Sequence, residues 1–129
     1  MVAFMADVDL TLETRRSIIA HLTTRVSGAG VYGEFTPANV PWPFIRYSST
    51  TTPYEDSCHD GSTILVDLHV FANGPSTDSV LGMGKQVLAA MATWTDGEAT
   101  WTGNIGPLAD NPELSKWHLV VQYQVTTIL

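Results

Sequence analysis

The sequence predicts an α+β fold: an antiparallel or mixed β-sheet packed on one side by two main helices. Three observations carry this. Residues 11–26 and 77–93 repeat apolar side chains at helical spacing. Residues 63–72 and 117–126 instead alternate with the two-residue period of a strand. The elements follow in the order helix, strands, helix, strands, without an internal repeat or linker, so the 129 residues are read as a single domain, 1–129.

The first helix is expected over Thr11 to Val26. Leu12, Ile19, Leu22 and Val26 form its stripe with Ile18 beside them, while Glu13, Arg15, Arg16 and Arg25 lie mostly off it. Asp9 or Thr11 can cap its start by accepting an orphan backbone N–H, and Asp7, Asp9 and Glu13 read as acids at the positive helix end. Gly28 and Gly30 stop it. Val31 to Phe35 is a short apolar stretch. Pro37, Pro41 and Pro43 then fix backbone angles and remove donors, so the segment around them is extended. Phe44 to Tyr47 is a strand candidate, and Ser48 to Ser62, polar and turn-rich, reads as an exposed loop.

Thr63 to Ala72 is the clearest strand. Ile64, Val66, Leu68 and Val70 form an aliphatic face; Leu65, Asp67, His69 and Phe71 form a mixed one. It should neighbour Phe44–Tyr47 across the loop. Asn73-Gly74-Pro75 turns the chain. Ser76 is a plausible N-cap for a second helix over Thr77 to Thr93, with Val80, Met83 or Gly84, Val87, Leu88 and Met91 facing inward. Gly82 and Gly84 each cost that helix roughly 1 kcal/mol relative to alanine. They either admit a close neighbour or simply weaken it. Ala99 to Ile105 is a weaker strand, followed by a loop from Gly106 to Ser115. Trp117 to Thr126 closes the sheet, with Trp117, Leu119, Val121, Tyr123 and Val125 on one face and His118, Val120, Gln122 and Gln124 on the other.

Composition narrows function by exclusion. Thirteen acids against six bases give a net charge of -7 and a pI near 4.7. Six scattered bases do not build the basic face that reads nucleic-acid phosphates or docks on anionic lipid. No apolar run approaches the roughly 20 residues that span a bilayer. The amino-terminal residues lack the pattern of a signal peptide, and a reducing compartment is expected. Cys58 is the one cysteine, which excludes an intrachain disulfide framework and an all-cysteine zinc site.

The chemistry-bearing residues do not assemble into a catalytic signature. No nucleophile elbow, phosphate-binding loop, dinucleotide fingerprint or metalloprotease motif is present. Cys58, His59 and Asp60 have the types of a nucleophile, a base and an orienting group, but sequence neighbours rarely point at one another. His69 and His118 lie on the two clear strands and meet if those strands pair. Zinc ligands usually come in pairs spaced by two to four residues, and no such pair occurs. Catalytic, cofactor and metal-binding residues are therefore all expected to be none. A small metal-dependent enzyme using Cys58, His59, His69 or His118 is the competing reading. Trp94, Trp101 and Trp117 are assigned to the core or the sheet. Trp42, between two prolines, is either an exposed interface residue or a plug over the sheet edge.

Two runs have a recognisable cadence: Gly30-Val31-Tyr32-Gly33-Glu34-Phe35 leading to Pro37-Ala38-Asn39-Val40-Pro41-Trp42-Pro43-Phe44-Ile45, and residues 60–72 leading through a turn into a helix that ends Val87-Leu88-Ala89-Ala90-Met91. In order and spacing, over about residues 10–126, the chain resembles the tail-completion, or tail-terminator, proteins of long-tailed bacteriophages and gene transfer agents. It differs in Phe44, where tyrosine is common, and in Trp42. The resemblance implies a non-enzymatic virion protein of the head–tail interface. Its subunits form a homo-oligomer, a hexameric ring, that caps the tail tube, stops its polymerisation and docks to the head–tail connector or stopper protein. It also implies that DNA passes through the ring without specific binding, that no membrane is involved and that no cofactor is carried. Another ring-forming connector or a tail-tube subunit is the nearest alternative. Trp42, Tyr54, Glu55, Asp56, His59 and Asp60 are the expected partner-contact residues.

Overall fold

In the computed structural model, residues 2–34, 37, 39–53, 61–111, 113 and 115–128 are described. Among them the chain forms two helices and five strands. Helix α1 spans Val2–Arg25, strand β1 Gly30–Tyr32, β2 Phe44–Pro53, β3 Gly61–Asn73, helix α2 Asp78–Ala92, strand β4 Glu98–Asn111 and β5 Lys116–Ile128. The sheet order is β1-β2-β3-β5-β4. β1 runs parallel to β2, and every other neighbour is antiparallel. The mixed sheet and the pairing of the Phe44 and Thr63 segments match the sequence reading.

Both helices lie on one face of the sheet. Ile45 and Tyr47 from β2, Ile64, Val66, Leu68 and Val70 from β3, and Leu119, Val121, Tyr123 and Val125 from β5 point toward them. They meet Ile18, Leu22 and Val26 of the first helical segment and Val80, Met83, Val87, Ala90 and Met91 of α2. Alternation on the strands and the three-to-four-residue rhythm on the helices thus converge on one core. Polar contacts join the two helices at its rim. Trp94 Nε1 donates to Ser17 Oγ at 2.9 Å, Ser17 Oγ also bonds Asp96, and His21 Nε2 lies 2.7 Å from the Ala90 carbonyl oxygen.

Gly84 sets how closely α2 approaches the sheet. A Cβ there would sit 2.5 Å from Leu119 Cδ2, whereas one on Gly82 would meet nothing within 4 Å. Only the first of these glycines therefore serves a close approach.

Several expectations are corrected. α1 begins at Val2, so Asp9 and Thr11 do not cap it, and Asp7, Asp9 and Glu13 are not in its first turn. Ala3, Met5, Ala6 and Leu10 are good helix formers with no proline or glycine among them, so nothing delays the start. Its buried stripe is Thr14, Ile18, Leu22 and Val26, spaced by four, and Leu12 is 40% exposed.

β2 continues to Pro53 and β3 begins at Gly61, which removes both ends of the expected Ser48–Ser62 loop. Thr50, Thr51 and Thr52 pair with Leu65, Ile64 and Thr63. Branched threonines suit a strand, and their polarity had disguised it. β4 likewise runs through Gly106 and Pro107 to Asn111, absorbing three register shifts against β5. At Gly106 φ is +99°, and a Cβ would meet the His118 carbonyl oxygen at 2.9 Å, so glycine is required at this irregularity. The N-cap of α2 is Thr77, not Ser76; Ser76 Oγ instead accepts the Asp78 N–H at 3.3 Å. The tryptophan assignment to the core or the sheet needs no such change: Trp94 is buried in the core, and Trp101, 52% exposed and donating to Asn104 Oδ1, lies on β4 of the sheet.

Candidate interaction surface

The second face of the sheet carries no described helix. Register sets its residues in cross-strand rows. Phe44, Phe71, His118 and Leu108 form one row; Arg46, His69, Val120 and Ile105 form the next; Ser48, Asp67, Gln122 and Gly103 form a third. Phe44, Phe71 and Val120 are buried, yet they belong to no part of the core under the helices. Ile105 and Leu108 are about half exposed on the outermost strand, at 47% and 52%.

Aromatic rings run across this face. Phe44 stacks on Phe71 at 4.6 Å between centroids, and Phe71 stacks on His118 at 4.3 Å. Trp42 meets both phenylalanines edge-on, at 5.3 Å and 5.6 Å. Such edge-to-face and offset contacts each add to plain area burial. The Arg46 guanidinium lies 5.3 Å from the Phe71 ring centre, and Lys116 Nζ lies 4.9 Å from that of Trp42. Trp42 is therefore half-buried over the end of the sheet, which favours the plug reading, with its ring clamped between phenylalanines and a lysine.

His69 and His118 are brought together, as the strand assignment allowed. His69 Nδ1 is 3.0 Å from His118 Nε2, and His69 Nε2 is 3.1 Å from Ser48 Oγ. Burial lowers the pKa of both rings. Arg46 and His118 push His69 further down, against a smaller opposing pull from Asp67. For His118, Asp110 acts in the raising direction and Arg46 in the lowering one. Neutral rings suit this geometry, because one nitrogen must donate and the other accept. Beside them Gln122 Nε2 donates to Asp67 Oδ1 at 3.1 Å.

Among the described residues, no group of three or more His, Cys, Asp or Glu side chains is arranged to hold a metal ion. Of the expected contact residues, Trp42 sits on this face. Tyr54, Glu55, Asp56, His59 and Asp60, with Cys58, lie outside the described residues. Sequence reasoning did not single out Phe44, Arg46, Phe71, Ile105 or Leu108. The available signal was the alternation of residues 63–72, whose mixed face ends in an aromatic that solvent alone does not explain. No described helix is long and apolar enough to cross a membrane.

The model of the family described as tail completion protein gp17 matches residues 16–126. The chain belongs to this family. It is a structural protein of the phage tail, and residues 16–126 include β1 to β4, all of α2 and all but the last two residues of β5. No curated protein sequence matches it. Among solved structures, this tail completion protein resembles a chain from the virion of a native gene transfer agent particle at a TM-score of 0.53. Identity is 11%, and the match covers 96% of this chain and 93% of that one. It also resembles the gp17 protein of bacteriophage SPP1, at a TM-score of 0.52 and 16% identity, over 95% of this chain and 91% of that one. At such identities the likeness is one of fold.

Proposed function

We propose that this tail completion protein assembles as a hexameric ring on the end of the tail tube, where it ends tube polymerisation and forms the surface that joins tail to head. The family match over residues 16–126 carries this reading. The open sheet face supports it: a row of aromatic rings beside exposed Ile105 and Leu108 is a surface for protein. The chain acts in this reading through its surfaces, with no bond made or broken. It is synthesised in the host cytoplasm and carried in the virion at the head–tail interface.

The partners are the tail-tube protein on one side and the connector or stopper on the other. A 129-residue globule is roughly 35 Å wide, so six in a closed ring leave a hole that admits duplex DNA. The net charge of -7 keeps DNA from sticking as it passes, with no specific contact. Trp42 and the segment with Tyr54, Glu55, Asp56, His59 and Asp60 contribute partner contacts.

Electron microscopy of tails made with and without the protein tests this. Its absence should give tubes of uncontrolled length that fail to join heads. Tails of normal length, joined to heads, in its absence would refute the reading.

A further inference from the structure

We propose that Ser48, on the open face of the sheet, is a nucleophile activated by His69 and aligned through His118, and that it takes an acyl group from an activated ester. This goes beyond the assembly reading and does not depend on it: the site is one where the chain is modified, not the means by which a ring works.

Geometry is the first argument. Ser48 Oγ lies 3.1 Å from His69 Nε2, and His69 Nδ1 lies 3.0 Å from His118 Nε2. A hydroxyl, an imidazole that meets it through one nitrogen and an acceptor at the other nitrogen are the parts of a serine nucleophile with its base and orienting group. When Ser48 donates to His69 Nε2, His69 carries its own hydrogen on Nδ1, and His118 Nε2 accepts it. The three residues come from β2, β3 and β5, whose antiparallel register holds them in place. Asp67 pairs with Ser48 across the strands, but it accepts from Gln122 Nε2 at 3.1 Å, and the described partner of the hydroxyl is His69.

Electrostatics is the second argument. Burial, with Arg46 and His118 acting in the same direction and Asp67 against them, keeps His69 below the ordinary 6.5. At neutral pH it is therefore an unprotonated base. His118 is lowered too, by burial first, with Asp110 opposing and Arg46 assisting. Negative charge developing on the acyl oxygen has two supports. The Arg46 guanidinium belongs to the same face, two positions along β2. β1 pairs with β2 only as far as Arg46, so from Tyr47 onward the outer edge of β2 has no described strand beside it. Such an edge presents backbone N–H groups without ladder partners, the donors an oxyanion needs.

The step balances. Ser48 Oγ bonds to the carbonyl carbon of the ester as its proton passes to His69 Nε2. The tetrahedral intermediate then collapses, the bond from that carbon to the ester oxygen breaks, and the proton leaves with the alcohol. Nothing is oxidised or reduced, and the acyl group remains on Ser48.

Treating the full chain with p-nitrophenyl acetate and locating acetylated serines by peptide mass spectrometry tests the proposal. Ser48 should be acetylated at least tenfold faster than Ser79, which is exposed and donates its hydroxyl to the Asn73 carbonyl. His69→Gln should slow Ser48 acetylation at least tenfold. His118→Phe keeps a ring against Phe71 but removes the acceptor, and should slow it severalfold; His118→Glu restores an acceptor and should recover it. The wild-type rate should rise with pH and level off, with its midpoint below 6.5. Circular dichroism certifies the fold of each variant, and the wild-type comparison of Ser48 with Ser79 needs none. Ser48 acetylated no faster than Ser79 overturns the proposal. So does a rate that climbs with pH without levelling, or a folded His69→Gln that reacts like wild type. A folded His118→Phe that reacts like wild type overturns the role given to His118.

Discussion

His69 Nδ1 lies 3.0 Å from His118 Nε2, and the two rings share the open sheet face with Phe71 between strands β3 and β5. The contact works while at least one facing nitrogen has a lone pair. Two imidazolium rings would face each other as donors and as like charges, beside the Arg46 guanidinium.

Stability should therefore depend on pH in one direction. Both histidines have folded-state pKa values below the ordinary value of 6.5. The unfolded chain thus binds more protons than the folded one between those values, and stability rises with pH there. The contribution is complete above about pH 6.5 and is lost as pH falls through the lowered folded values. Melting temperature should drop between pH 7.5 and pH 5, and the variant His69→Gln with His118→Gln should drop less. Equal slopes for the two proteins would show that other groups set the acid sensitivity.

The glycines of α2 should separate under substitution. Gly82→Ala meets nothing within 4 Å and gains helix propensity, about 0.5–1 kcal/mol of added stability. Gly84→Ala gains the same propensity but drives a methyl toward Leu119, which is 2% exposed and has little room to yield. Urea denaturation should place Gly84→Ala at least about 1 kcal/mol below Gly82→Ala. Equal stabilities would mean that the sheet retreats from the helix without penalty.

Why the core was legible and the interaction face was not follows from the same strands. Ile64, Val66, Leu68 and Val70 carry an uninterrupted aliphatic period that only a covered sheet face explains. The face behind them holds Asp67, His69 and Phe71, whose types match no template until register sets Phe44 and His118 beside Phe71. Those neighbours are 27 and 47 positions away, beyond any local pattern. Local reading also fails where the strands are polar, as at Thr50 to Thr52, or irregular, as at Gly106, because partner strands rather than intrinsic preference decide those segments. The start of α1 is hidden for the opposite reason: Asp9 and Thr11 are good capping types, but the helix is already under way where they stand.

Leu68 lies at the centre of the covered face, fully buried between Tyr47 of β2 and Val121 of β5. Leu68→Ala should cost about 2–5 kcal/mol, since the flanking strands are held in register and the cavity cannot close. Leu65→Ala, three positions away on the same strand but facing the other side and 48% exposed, should cost less than about 1 kcal/mol. Chemical denaturation of the two variants gives the contrast directly; similar losses would contradict the one-sided core.

The segment between β2 and β3 should be dispensable for folding and needed for assembly. Pro53 pairs with Ser62, so the strands on either side are already in register at the point where the chain must reverse. Replacing residues 54–61 by a two-residue Asn-Gly turn keeps that pairing and removes Tyr54, Glu55, Asp56, His59 and Asp60 together. The shortened protein should melt within a few degrees of wild type, because the residues that form the described core under the helices are all retained. In complementation it should yield tails that join heads poorly. The segment's three acids make the defect separable from folding: restoring Glu55, Asp56 and Asp60 within a longer polar turn should recover more infectious particles than the same turn with Gln and Asn at those places. Full infectivity of the short variant would remove the segment from the contact surface and leave the open sheet face as the sole candidate argued above.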